Sequence, residues 1–371
     1  MIELTKNQSS PVTSLLAFVK KRLATARDFF RRHEWAMPLL LAISLAGTVV
    51  GSLLIGAYPM SFWRAGEITV NLGLPWALPS ESSWSLMELA VIQMIRLPRV
   101  LLATLVGMAL GMSGAALQGM MRNPLVGPDL VGVSSGAALG GVFAIMFYWS
   151  ESATVALAFL GGLLALGGTY GLAHLARSFE GIGLILSGIF VGAFCISGVC
   201  FGLFLADDHQ MSRIGHLVMG YLNEATPQTV WLLTVPTLVG GSILMLLRWR
   251  INLLSLGNAD ALSLGINVRL LRLTIIAVVS LIVAAQVSVS GLIGWVGLVV
   301  PHCARMLVGP DHRKLLPASA LLGGMFVLLI DDFTRVVLRT DVGTGTLTTL
   351  IGTPFICFLF WKKKTKGWIN D

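Results

Sequence analysis

Charged residues make up only 12% of this 371-residue chain. A soluble domain carries roughly 25%, so a water-facing surface could not be covered. Acidic residues are the scarcer sign, and none lies in the middle of any long apolar stretch. Transporters driven by protons or sodium usually need such an intramembrane carboxylate or an unwound ion site, and channels usually need a charged ring or a filter loop. Their absence argues against a secondary transporter and against an ion channel. No GxxxxGK[ST] phosphate loop occurs, which excludes nucleotide hydrolysis by that route. The four cysteines, Cys195, Cys200, Cys303 and Cys357, form no CxxC pair and fall in or beside apolar stretches. They read as small packing residues, with neither disulfide nor metal expected. No His, Asp or Glu cluster of the kind a membrane-embedded enzyme needs is visible, and His302 stands apart from other ligand types.

What fills the chain instead is hydrophobic residues, 55% of the total. They run in continuous, non-alternating stretches near 36–57, 97–121, 130–149, 153–175, 182–205, 228–247, 270–289, 291–307, 315–335 and 342–361. About 20 apolar residues cross a hydrocarbon core of ~30 Å. Inside lipid only helices or closed barrels satisfy every backbone polar group, and runs without alternation favour helices. The expected fold is therefore an all-α polytopic membrane protein of about ten spans, covering residues 36–361, with basic extensions at 1–35 and 362–371.

Loop charge gives the orientation. Lys6, Lys20, Lys21, Arg22, Arg27, Arg31 and Arg32 precede the first span, and Lys362, Lys363, Lys364 and Lys366 follow the last. Both ends read as cytoplasmic. The same threading puts Arg122, Arg177, Arg248, Arg250, Arg269, Arg272, Arg305, Arg313 and Lys314 inside, and the 58–88 loop outside with Arg64 against Glu67, Glu81 and Glu88. The net charge of +8 is thus a topology signal, and nucleic-acid binding is not needed to explain it. The first 35 residues are too polar and too long before the apolar run for a cleaved signal peptide. They suit either an amphipathic helix on the inner membrane face or a plain cytoplasmic extension.

Four arginines violate the positive-inside pattern: Arg96 and Arg99 at the outer end of the second span, and Arg335 and Arg339 at the outer end of the ninth. One reading has them snorkelling and pairing with Asp331, Asp332 or Asp341. The other makes them a docking surface for carboxylates of a partner, since a guanidinium fork suits bidentate capture. Glycines four apart (Gly107 and Gly111, Gly188 and Gly192, Gly198 and Gly202) open helix faces for close approach.

The longest internal cytoplasmic segment, 248–272, centres on Leu256-Gly257-Asn258-Ala259-Asp260-Ala261-Leu262-Ser263-Leu264-Gly265. Two glycines bracket a stretch of about two helical turns, with Asn258 as an N-cap candidate and Asp260 favourable near the N-terminus. Such a helix is marginal alone. It must pack against the protein's own helix ends or into the groove of a soluble partner. Leu-Val-Gly-Pro-Asp occurs twice, at 125–129 and 307–311, an echo consistent with either duplication or chance.

Arg96-Leu97-Pro98-Arg99, the Gln118…Asn123-Pro124-Leu125 turn, Gly132…Ser134-Ser135-Gly136-Ala137, Leu256-Gly257…Leu264-Gly265, Gly297-Leu298…Pro301-His302…Arg305, Asp311-His312-Arg313…Leu316-Pro317 and Gly345…Thr348…Gly352…Pro354 occur in the order seen in FecCD-type permeases. Over about 90–371 the chain resembles that family, the membrane subunits of bacterial importers driven by ATP-binding cassettes (ABC importers of type II) for ferric siderophores, haem, cobalamin and, in some members, molybdate. The resemblance implies two ten-helix permease subunits, identical or paralogous, around a central path in the inner membrane. Two ATPase subunits lie below, and a periplasmic or lipid-anchored binding protein docks above. It implies docking roles for Arg96, Arg99 and Arg335, and a coupling role for Gly257, Asn258, Ala259, Asp260, Ala261, Leu262, Ser263, Leu264 and Gly265. It also places the cytoplasmic gate at Glu180, Gly181 and Ile182. No cofactor, metal or catalytic residue is implied, and ferric siderophore is the commonest cargo of the family. Gly343, Asp341 and Trp295 depart from the usual proline, glutamate and phenylalanine.

Overall fold

The structure is a computed structural model that describes residues 36–73, 84–176, 182–338 and 342–364. Among the described residues every regular element is helical. In chain order these are α1 (Ala36–Leu54), α2 (Phe62–Gly73), α3 (Leu86–Ala90), α4 (Leu97–Met121), α5 (Val133–Met146), α6 (Glu151–Leu175), α7 (Ile182–Leu205) and α8 (Asp208–Met219). There follow α9 (Pro227–Leu256), α10 (Asn258–Ser263), α11 (Val268–Ser290), α12 (Val296–Val308), α13 (His312–Asp332) and α14 (Thr344–Lys364). Each apolar stretch expected to span is represented by a helix. Six helical stretches are long and apolar enough to cross a membrane, and three shorter apolar helices accompany them.

The bundle is organised around α4. A π-helical turn, Val91–Arg96, joins α3 to α4, so Leu86–Met121 forms one rod. Its most apolar window is 83% buried, against 22% for the corresponding window of α1. A span buried on all sides must pack against other helices, and α4 packs on α13, α9, α12 and α11. Small residues make this possible. A Cβ added at Gly107 would stand 2.0 Å from the Gly323 carbonyl oxygen of α13, and one at Gly114 only 1.8 Å from that of Gly297 in α12. The helices touch backbone to backbone, the geometry small residues permit. A second group, α5, α6 and α7, packs together and meets the first where α6 crosses α11.

The eighth apolar stretch, expected over 291–307, becomes helical only at Val296. The 13 residues of α12 rise about 20 Å, short of the ~30 Å core. Gly291 turns at φ +68 and Trp295 at φ +67, and the backbone between them is buried or half-buried in protein. Non-helical backbone at that depth is tolerated only in such a setting.

Two helices lie outside the expected spans: α2 forms within the 58–88 segment expected as a loop, and α8 follows α7. Helix α8 is amphipathic and opens on a capping box, in which Asp207 accepts the Gln210 N–H at 2.8 Å and Gln210 Oε1 accepts the Asp207 N–H at 3.0 Å. Its far end meets the α11–α12 break. Leu292 N–H donates to the Leu217 carbonyl at 2.9 Å, and Tyr221 N–H to that of Ser290 at 3.0 Å. Gly345 N–H, in α14, donates to the Gly220 carbonyl at 3.3 Å. Three loop ends are thereby joined.

The two Leu-Val-Gly-Pro-Asp copies do not share a conformation. Pro128 opens a 3-10 turn, Pro128–Val131, and Asp129 accepts the Ser134 hydroxyl at 2.9 Å. Asp311 instead caps α13, accepting the Arg313 N–H at 2.9 Å.

Candidate functional site at the two ends of the bundle

The segment 257–265 forms a helix whose limits follow from its glycines. Gly257, at φ +143, lies in a region essentially closed to side-chain-bearing residues and starts α10 one residue earlier than expected. Asn258 is therefore not the cap. Its Oδ1 accepts from Arg272 Nη2 at 2.8 Å and ties α10 to α11. Asp260 lies in the first turn, where a carboxylate is favourable. At the other end Ile266 N–H donates to the Ala261 carbonyl and Gly265 N–H to that of Leu262, with Gly265 at φ +78. This is a Schellman closure, which needs a left-handed residue at that position.

The faces of this short helix differ in burial. Ala261 is fully buried against the chain's own core. Leu256, Leu262 and Leu264 are 62%, 60% and 58% exposed, and Ala259 and Asp260 are also exposed. Six residues could not hold themselves in this shape unaided. The bracket is fixed by Ala261, the Arg272 bond and two glycines, and it presents leucines outward.

The neighbouring helix ends are tied as well. Asn252 Nδ2 donates to Asp311 Oδ1 at 2.6 Å, and Asn252 Oδ1 accepts the His312 N–H at 2.8 Å. The Arg313 guanidinium lies 4.1 Å from the Trp249 ring centroid, a cation–π distance. Burial raises the Asp311 carboxyl, but the Arg313 N–H, the Asn252 amide and the charges of Arg313 and Lys314 outweigh it. The group therefore titrates below the ordinary carboxylate value.

At the opposite end the three arginines converge, each engaged differently. Arg96 is 3% exposed and donates to the carbonyls of Leu53 (3.0 Å), Leu54 (3.3 Å) and Tyr58 (3.1 Å). It closes the carbonyl end of α1, which has no intrahelical partners. Arg99 grips Asp331 with Nε at 2.9 Å and Nη2 at 2.8 Å, and Asp331 is fully buried. Arg335 Nη2 binds Asp332 and Ser52, while its Nε and Nη1 are buried without a hydrogen bond among the described residues. The Ser52 hydroxyl donates to Asp332 at 2.6 Å. Arg96 and Arg335 each belong to a π-helical turn, Val91–Arg96 and Phe333–Leu338. Such turns are uncommon and frequent at functional sites.

Arg339, Asp341, Glu180, Gly181 and residues 1–35 lie outside the described residues; Ile182 is the first residue of α7. No group of three or more His, Cys, Asp or Glu able to hold a metal occurs among the described residues.

Comparison with known proteins agrees with this architecture. The family model described as the FecCD transport family matches residues 41–362. The molybdate import system permease protein MolB of Haemophilus influenzae is 37% identical over 352 residues, 93% of this chain and 99% of that protein. An iron chelatin transport system permease of Helicobacter pylori is 38% identical over 88% of this chain and 98% of its own length. The hemin transport system permease HmuU of Yersinia pestis is 36% identical over 88% and 94%. A solved inward-facing metal-chelate type ABC transporter superposes with a TM-score of 0.77 at 35% identity, covering 88% of this chain and 98% of that one. An all-helical bundle with these relatives along nearly its whole length belongs to the FecCD transport family, as a membrane permease of the ABC-importer type.

Proposed function

We propose that this chain is one of two permease subunits of an importer that carries an iron chelate across the inner membrane. Two separate ATPase subunits drive it and a binding protein feeds it. The coupling reading rests chiefly on the leucines exposed on α10 and at its two ends. Leu256, Leu262 and Leu264 stand out at a helix end whose surroundings carry Arg248, Arg250 and Arg269. Exposed apolar groups rimmed by charge mark a protein contact. A helix braced by Ala261 and Arg272 can pass a push to α9 and α11, between which it sits.

In this reading the α10 end faces the cytoplasm and both chain ends lie there. ATP binding closes the motor subunits, their grooves carry α10, and the spans tilt to change the inner gate near Glu180, Gly181 and Ile182. The binding protein docks at the opposite end, over Arg99 and Arg335. Arg96 serves as the brace that holds the site in shape. Two Arg335 donors have no acceptor among the described residues, so a partner carboxylate could bind it once the Phe333–Leu338 turn yields.

The iron-chelate cargo is favoured by relatives named for iron chelatin, hemin and ferric dicitrate. Molybdate is the second reading, because MolB matches at comparable identity over more of the chain. Uptake of radiolabelled ferric chelates and of labelled molybdate by proteoliposomes holding the complete transporter decides between them. Accumulation of molybdate alone would overturn the iron reading. For coupling, Ala259→Trp should leave ATP hydrolysis running while uptake stops, and full uptake by that variant would refute the role of α10.

A further inference from the structure

The Pro128–Val131 turn does not stay at the surface between α4 and α5. Thr169 Oγ1 of α6 donates to the Val131 carbonyl at 3.0 Å. A Cβ added at Gly188 of α7 would stand 2.2 Å from the Leu130 carbonyl oxygen, and one at Gly297 of α12 only 2.6 Å from the Pro128 ring. Gly297 in turn abuts Gly114 of α4. Thr169, Gly188 and Gly114 each lie six or seven residues from the helix end that gathers beside α10, about 9–10 Å of rise. The turn is carried that far into the bundle. Pro128 and Val131 are buried there, yet Asp129 between them is exposed in the single chain.

Asp129 Oδ1 takes the Ser134 hydroxyl, and Oδ2 lies toward α14. A Cβ added at Gly294 would stand 3.9 Å from Asp129 Oδ2 and 3.7 Å from Thr349 Oγ1. The Thr349 and Thr353 hydroxyls, four residues apart on one face, donate to the carbonyls of Gly345 and Thr349 at 2.9 Å each. Their protons are spent on their own helix, so outward they offer lone pairs. A carboxylate at this depth faces either the protein interior or a water-filled cavity, and non-helical backbone is tolerated there in the same two settings. Exposure of Asp129 selects the second.

We infer that Asp129, with Thr349 and Thr353, lines the path of the cargo and sets there a preference for cationic or N–H- and O–H-bearing groups over anions. A chelate carrying ammonium, amide or hydroxyl donors would find acceptors on this surface, whereas an oxyanion would meet a like charge and lone pairs. The one described hydrogen-bond partner of Asp129 is a serine, so it forms no described chain of titratable groups of the kind proton relays use. The inference rests on the permease reading and bears on the choice of cargo without presupposing it.

The test reads the local potential by thiol labelling of the complete transporter in detergent, with the four native cysteines replaced by alanine. Thr349→Cys is treated at low ionic strength with a cationic trimethylammonium-ethyl or an anionic sulfonato-ethyl methanethiosulfonate. Both should react, the cation faster. Adding Asp129→Asn, which keeps an oxygen for Ser134, should lower the cation-to-anion rate ratio at least about fivefold. Thr353→Cys, one turn along α14, should respond in the same sense. Asp260→Asn, which removes a carboxylate from α10 instead, should leave the ratio within about twofold. Absence of labelling at both threonine positions would overturn the inference, since neither would then face water. A ratio unchanged by Asp129→Asn, or lowered as much by Asp260→Asn, would do the same. Should the parent transporter accumulate molybdate alone in proteoliposomes, the iron reading fails by itself, and the inference then requires Asp129→Asn to speed that uptake; equal or slower uptake would overturn it.

Discussion

The Arg99–Asp331 pair offers a double-mutant cycle in which structure and docking make separable contributions. Asp331 is fully buried and takes three hydrogen-bonding contacts from Arg99, at 2.8, 2.9 and 3.1 Å. Arg99→Met leaves that carboxylate buried with its counter-charge gone, which costs about 3–5 kcal/mol. Asp331→Leu should cost less, about 1–3 kcal/mol, because Arg99 is 14% exposed and its guanidinium can reach water. With both changed, no buried charge is stranded, and stability should return to within about 1–2 kcal/mol of the parent, since apolar replacement of a buried pair is often neutral. Unfolding of the purified chain against increasing denaturing detergent measures all four corners. A double variant as unstable as Arg99→Met would refute the argument, and so would an Arg99→Met chain as stable as the parent. The same double variant then isolates docking. If Arg99 also receives a partner carboxylate, binding-protein affinity falls at least tenfold in a chain that is still folded. Unchanged affinity would leave Arg99 a structural residue only.

Further outcomes follow from the same contacts. Gly114→Leu should abolish folded protein, because even a Cβ would stand 1.8 Å from the Gly297 oxygen; Gly167→Ala, with nothing within 4 Å, should express normally. Size-exclusion profiles of the two variants read this directly. Asn252→Ala removes the groups that hold Asp311 and the His312 N–H and should cost about 1–3 kcal/mol, seen in the same detergent titration. Ala261→Trp should displace α10 from its own chain and lower folded yield, whereas Ala259→Trp should leave yield unchanged and act only on uptake. Equal yields for the two would remove the distinction between the inner and outer faces of α10.

Much of the fold was legible because lipid imposes a coarse rule. Continuous apolar runs must become helices, and each of the ten did. The departures arise where another force competes. Helix α8 gives no continuous apolar run, because its apolar residues are spread among Asp208, His209, Arg213 and His216; the Asp207…Gln210 capping box is its one signal in the sequence. The late start of α12 comes from left-handed turns at Gly291 and Trp295, and the latter is a residue type that gives no such warning. Asp129 stands out in the sequence only as the end of a repeated pentapeptide, and the folded chain shows it accepting the Ser134 hydroxyl beside the Pro128–Val131 turn.

At the candidate site the glycine bracket around 258–263 could be read from spacing, since few residues tolerate φ +143 or +78. The cap could not, because it depends on where Arg272 places its guanidinium fourteen residues later. The arginines show the same limit. Their exceptional location was visible as a breach of the loop-charge rule. That Arg96 holds backbone carbonyls, Arg99 holds Asp331 and Arg335 holds Asp332 depends on contacts 38 to 283 residues apart, together with the local Asp332–Arg335 bond.

The most direct test of a permease moved from outside itself is accumulation of labelled cargo in proteoliposomes. The chain is reconstituted alone, then with ATPase subunits and binding protein, each with and without ATP. Uptake against a gradient should occur only with the full set and ATP, and should vanish in Ala259→Trp while hydrolysis continues. Concentration of cargo by the chain on its own would contradict the account.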